Sequence, residues 1–313
     1  MNRKEQFERD KISIRGELTH IAPPSEDPFV NELDRLYGAA DVLSIKNANK
    51  HRRILLELSA VGTLLTLLFL LYDEAELYGL IAACGLMILL LFLIRFLANR
   101  SQCHRKYLEY RVLAESLRVQ YYLYVAGIKE RVTGLMTWSV KQENPWITEL
   151  ISDLPVPRPK QKKSVIGYWI KDQSEYHQLK LKQMMKKHRR DSRIAKVTLI
   201  VTILAYAVAI GFEFIVVQSH IRIDVNAVRA VLKVTVGTMS ALTLFTGNYY
   251  GKMSLSNVID DHERMIALYQ SVGETINTQG ESDELILSLA RDCLNETGTW
   301  YAYQKKNQPD LVI

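Results

Sequence analysis

Hydrophobic and polar positions are sharply segregated along this chain. Residues Ile54 to Tyr72 form an almost unbroken apolar run, and Leu77 to Leu97 form a second. Only the short acidic stretch Asp73-Glu74-Ala75-Glu76 separates them. About 20 apolar residues suffice for an α-helix to cross the ~30 Å hydrocarbon core of a bilayer. Lipid offers no partner for backbone groups, so both runs are expected to be helical. Two further runs, Lys196 to Val217 and about Ala227 to Gly247, flank a longer loop, Gln218 to Asn226. The pattern predicts an all-α integral membrane protein: two transmembrane helical hairpins, spans 54–72, 77–97, 196–217 and 227–247, with extended cytosolic helices.

Helical periodicity marks the segments between the spans. Ser25-Glu26-Asp27-Pro28 has the residues of a helix start, and Phe29, Leu33, Leu36, Tyr37, Ala40 and Leu43 follow at helical spacing. After the first hairpin, Tyr107, Tyr110, Ala114, Leu117, Tyr121 and Tyr124 step by three and four, a heptad-like seam. After the second, Leu255, Val258, His262, Met265, Tyr269, Val272 and Ile276 repeat the pattern. Both seams offer oligomer contacts. Residues 127–154 are read as helical at first and irregular around Asn144-Pro145, and a last helix as about Asp283 to Asn295, ending near Gly298. The expected organisation is a flexible N-terminal arm (1–24), a first hairpin unit (25–154), a Pro-rich basic linker (155–164) and a second hairpin unit (165–313). The tail Gln308 to Ile313 is left unassigned.

Charge sets the expected orientation. Lys46, Lys50, Arg52 and Arg53 precede the first span, and Arg95, Arg100, Arg105 and Lys106 lie at or beyond the end of the second, while the turn between is acidic. The positive-inside rule then places both termini in the cytoplasm. The chain of 313 residues has a formal charge of +6 and a mean hydropathy of −0.05, an average over greasy spans and charged segments. Three scattered cysteines make no disulfide framework, and the first fifteen residues lack the apolar core of a signal peptide.

Candidate chemistry concentrates on the fourth span and the basic segments. Thr235, Thr238, Thr243 and Thr246 fall within less than half the helix circumference, either as a water-lined, pore-facing surface or as ordinary small-residue packing. Arg229 and Lys233 are cations within that span, and such charges pair, snorkel or face water. Glu213, near the outer end of the third span, is the expected partner of one of them, an intramembrane ion pair. Lys186, Lys187, Arg189, Arg190 and Arg193 belong to a basic run that either anchors against anionic lipid or binds a phosphate-rich ligand. Arg111 and Arg118, flanking Glu115, are either solvated charges on a packing helix or further phosphate ligands.

No phosphate-binding Gly loop, zinc-spaced Cys pair or nucleophile elbow is present, and His104, His188 and His262 stand singly. Asp260-Asp261-His262-Glu263 point in different directions on a helix, so no metal site and no cofactor is expected. Nothing here argues for an enzyme. A lipid-acting enzyme would need a pocket of shifted carboxylates at the membrane surface. A non-conducting receptor or scaffold, recruiting a partner through its cytosolic helices, is the main alternative to a pore.

The segment Arg105-Lys106-Tyr107-Leu108-Glu109-Tyr110-Arg111-Val112-Leu113-Ala114-Glu115-Ser116-Leu117-Arg118-Val119-Gln120-Tyr121-Tyr122 resembles the post-hairpin motif of bacterial SLATT-type domains. These are two-span effector modules associated with nucleotidyltransferase and SLOG sensor systems. Asn295-Glu296-Thr297-Gly298-Thr299-Trp300 resembles that family's C-terminal pattern. Doubling to four spans and the lack of a fused sensor domain depart from the simplest members. The resemblance implies a pore-forming effector of anti-phage defence in the bacterial inner membrane, depolarising the infected cell. It implies a ligand made by a partner nucleotidyltransferase, a nucleotide or oligonucleotide, with no duplex DNA readout. Four spans with so few polar residues enclose no pathway alone, so a homo-oligomer is expected, a tetramer first.

Overall fold

A computed structural model describes residues 2–14, 16, 18–155, 157, 164–218, 225–253 and 255–306. Most of the expected linker, the core of the second hairpin loop (219–224) and the C-terminal tail lie outside the described residues. The protein is all-α, with no strand among the described residues. Four helices are long and apolar enough to cross a membrane. In their most apolar 18-residue windows at most 11% of positions are buried. Apolar surface so extensively exposed is untenable in water and natural against lipid.

The spans are parts of longer rods. After α1 (Arg3–Ile12), α2 runs unbroken from Pro28 to Glu74, through the predicted cytosolic helix and the first span. Its cap is Asp27, whose Oδ1 accepts from Phe29 N at 2.9 Å, with Pro28 as first helical residue. The tight turn after Glu74 places Glu76 at φ 53°, and α3 follows from Leu80 to Ser101. Gln102, at φ 48°, separates it from α4 (Cys103–Val125). Three short helices, α5 (Val132–Leu135), α6 (Trp138–Glu143) and α7 (Pro145–Ser152), occupy the stretch of weak periodicity. A π-helical turn, Ile166–Ile170, leads into α8 (Lys171–Gln218). Then come α9 (Val225–Met253), α10 (Leu255–Gln279) and α11 (Asp283–Lys306). The order of long helix, hairpin and exit helix therefore occurs twice.

Compaction does not follow chain order. Among the described residues, one unit comprises those of 2–50, 102–182 and 260–306; the other, those of 51–101 and 183–259. The chain-order division at the linker describes sequence, while packing collects the polar-flanked helices in the first unit and the apolar rods in the second. Helices that continue through both supply the covalent frame.

The first unit is built around α4. Leu108, Tyr110, Leu113, Leu117, Val119, Tyr122 and Leu123 are all buried, so the helix is covered on every side rather than along one seam. Phe29, Leu33 and Leu43 of α2, Met265 and Tyr269 of α10, and Ile286 and Leu289 of α11 share its core. The first predicted seam, and the second from Met265 onward, are thus taken up inside the unit, while Leu255 and Val258 belong to the other. Residues 1–24 are likewise not a free arm. Helix α1 has a capping box from Asn2 and Glu5, buries Phe7 against Tyr110 and Trp146, and pairs Lys106 with Asp10 at 2.6 Å. One aromatic residue and several charge contacts hold it, which no apolar period reveals. Helix α11 runs past Gly298, because the absent side chain leaves room for Thr137; an added Cβ would lie 3.0 Å from its Oγ1.

Candidate functional site

Helix α9 is the centre of the second unit. Toward α2 it is packed through glycines: a Cβ on Gly62 would lie 2.6 Å from the Phe245 ring, and one on Gly237 would lie 2.6 Å from Leu70. Lys233 Nζ donates to both carboxylate oxygens of Glu74 at 3.0 Å. The pairs 62–245, 70–237 and 74–233 advance along α2 as they retreat along α9, which makes an antiparallel seam about 18 Å long. Small residues let the backbones approach where no water drives association.

A different edge of α9 meets α8. Arg229 donates from Nε and Nη2 to the two oxygens of Glu213, both at 2.7 Å. This planar two-point pair is the strong form of an ion pair. The Thr202 and Thr243 hydroxyls lie 2.8 Å apart, and Thr202 Oγ1 donates to the Met239 carbonyl at 3.1 Å. The structure therefore joins Glu213 to Arg229 and gives Lys233 to the first hairpin instead.

The four threonines divide. Thr243 belongs to the α8 contact. Thr235, Thr238 and Thr246 fall on an arc of about 80° between the two contact edges, with Thr238 next to Phe245 of the α2 contact and Thr246 next to Met239 of the α8 contact. Thr235 is exposed and bonds back to the Val231 carbonyl at 2.8 Å, an economical arrangement for a hydroxyl in a span. The Thr238 hydroxyl oxygen is buried without a hydrogen-bond partner.

Arg111 and Arg118 are not open phosphate ligands. Both engage Glu115 inside the first unit, with Arg118 Nη1 donating at 2.8 Å. Arg118 Nη2 donates to the Tyr37 hydroxyl at 2.8 Å, and its guanidinium lies between the Tyr37 and Tyr176 rings, 5.5 and 5.3 Å from their centroids. Asp41 lies 3.9 Å from Arg111. Burial would raise the Glu115 pKa, but the two guanidiniums outweigh it and hold the carboxylate below its ordinary value. A buried cation must be paired, and here the partner is internal. Both readings of these residues, solvated charges and ligands, give way to a buried network linking α2, α4 and α8.

Beside it lies a contact that the sequence did not disclose. His177 of α8 and His262 of α10 place their Nδ1 atoms 2.9 Å apart. The ring centroids are 5.1 Å apart, as expected for two nitrogens facing each other across one shared proton. Burial, above all, lowers both to about 4, helped at His177 by His262 and at His262 by the cations Arg111 and Lys180. Single histidines far apart in sequence carry no signal of such pairing. Among the described residues no group of three or more His, Cys, Asp or Glu could hold a metal ion.

On α8, Lys186, Arg189, Arg190 and Arg193 are exposed, and Lys187 is half-buried. Arg190 is paired with Asp191 at 3.2 Å.

A family model described as "Protein of unknown function (DUF4231)" matches residues 37–130, the first hairpin with α4 and part of α2. No curated protein matches, and no solved structure matches. The similarity is to a family whose description names no activity, and it does not extend to the second hairpin.

Proposed function

We propose that this protein is a pore-forming effector of the bacterial inner membrane, its copies assembling so that α9 faces a shared conduit. The observation that carries the reading is the hydroxyl face of α9. Thr235 is exposed and Thr246 half-buried, and among the described residues neither hydroxyl bonds to α2 or α8; the Thr238 oxygen between them and the α2 contact is covered within the chain. Two glycine contacts and two ion pairs hold α9 between its neighbours, so this face is presented on a fixed scaffold. The resemblance of Arg105 to Tyr122 to SLATT-type domains adds the context: anti-phage defence, and a nucleotide or oligonucleotide signal from a partner nucleotidyltransferase. With Arg111 and Arg118 committed internally, the signal acts on other surfaces of the first unit, from which α2 and α8 run on as spans. In this reading both termini lie in the cytoplasm, on the side of the basic flanks of the first hairpin.

The test is flux. Purified protein in liposomes should release trapped potassium in a protein-dependent way, at a rate that changes when the partner's nucleotide product is added. No release under any condition would favour the scaffold reading.

A further inference from the structure

The exposed cations of α8 do not stand alone on their face. At 100° per residue, Lys186, Arg189, Arg190, Arg193 and Lys196 share an arc of about 120°, and the same arc continues into Val197, Ile200 and Leu204. All eight are exposed, with Val197, Ile200 and Leu204 54%, 55% and 59% accessible. Among the described residues, Lys186, Arg189, Arg193 and Lys196 have no carboxylate at ion-pair distance. A single stripe thus changes from positive charge, paired only at Arg190, to bare apolar surface.

We propose that this stripe seats an anionic phospholipid, its phosphate on Lys186, Arg189 and Arg193 and its acyl chain along Val197, Ile200 and Leu204. The dimensions agree. Arg193 to Leu204 spans about 16 Å of helix, close to the ~15 Å from headgroup to bilayer midplane. A soluble phosphate compound is the other source of the same chemistry, but such ligands take concave sites that bury most of their surface. The stripe is the convex side of one rod, and its lower half offers a nucleotide nothing. The inner edge is positive as well. Half-buried Lys187 has its ammonium pulled down first by burial and then by Arg52 of α2, so an anion there relieves repulsion between two helices. The lipid site does not depend on whether the protein conducts.

Native mass spectrometry of the detergent-purified full chain tests this, with titrations of dioleoylphosphatidylglycerol, dioleoylphosphatidylcholine and ATP. The wild type should retain phosphatidylglycerol and not phosphatidylcholine. Lys186→Gln/Arg189→Gln/Arg193→Gln should weaken retention about 100-fold. The charge-keeping Lys186→Arg/Arg189→Lys/Arg193→Lys should retain it. Neutralising Lys129, Lys171 and Arg291, exposed cations of the first unit, should also leave it intact. Equal retention by the wild type and the stripe-neutralised protein overturns the proposal. So does stripe-dependent binding of ATP without preference for phosphatidylglycerol. Because adducts report binding and not current, this result and the flux result stand or fall separately.

Discussion

Lys233 of the second hairpin is bound to Glu74 of the first, its ammonium 3.0 Å from both carboxylate oxygens. The contact closes one end of the α2–α9 seam, while Arg229–Glu213 fastens the same end of α9 to α8. Each cation of α9 thus has its own acid on a different neighbour.

That division predicts the outcome of exchanging charges. Lys233→Glu places two carboxylates together and should lower the yield of monodisperse protein and its melting temperature in detergent. The reciprocal pair Lys233→Glu/Glu74→Lys should restore both. Combining Lys233→Glu with Glu213→Lys should not, because Glu213 faces Arg229. Size-exclusion chromatography with differential scanning fluorimetry reads all three.

The glycine seam predicts unequal costs for similar changes. Gly62→Ala drives a methyl against the ring of Phe245, while Gly237→Ala meets the end of a Leu70 side chain that can turn aside. Overpacking a tight contact costs about 1–3 kcal/mol, and Gly62→Ala should lie at the upper end and Gly237→Ala at the lower. Gly62→Ala/Phe245→Leu should recover most of the loss. Equal effects of the two single changes, read by melting temperature, would show that α2 and α9 do not meet in this register.

The His177–His262 pair predicts acid sensitivity of the first unit. Unfolded, each imidazole takes up a proton near pH 6.5; folded, near 4. A depressed histidine pKa means that the unfolded state binds the proton first. Stability is therefore complete above about pH 6.5 and is lost as pH falls from there toward 4. At about 1.4 kcal/mol per pKa unit each of the two shifts is worth on the order of 3 kcal/mol. Glu115, held below its ordinary value by Arg111 and Arg118, loses its contribution only at lower pH, and His104, also lowered by burial, adds to the loss with the same sign. His177→Asn/His262→Asn should flatten the fall in melting temperature between pH 7 and 5. An unchanged slope would mean that other groups carry it.

What the sequence made legible follows from the range of each interaction. The spans were readable because twenty consecutive apolar residues have few other uses. That Glu213 pairs with Arg229 or Lys233 was readable because all three lie near the same turn of successive helices; that the partner is Arg229 was not. Lys233–Glu74 was not, since nothing local says which hairpin lies alongside. The i, i+4 and i, i+3 spacing of Arg111, Glu115 and Arg118 showed that they can meet, but not that Tyr37 and Tyr176 cover them. The period of α4 showed one stripe because aromatic residues dominate it; burial of Val112, Val119 and Leu123 on the other sides depends on distant helices. The docking of α1 rests on Phe7 and scattered charges, which resemble any polar segment.

The conduit reading is tested most directly by substituted cysteines on α9. Cys84, Cys103 and Cys293 are buried, and replacing them with Ala gives a silent background. In that background, Thr235→Cys and Thr246→Cys should make the reconstituted current sensitive to a membrane-impermeant, water-borne thiol reagent. Leu199→Cys, exposed on α8, should leave it unaffected. Block at Leu199→Cys with none at Thr235→Cys or Thr246→Cys would contradict an α9-lined conduit.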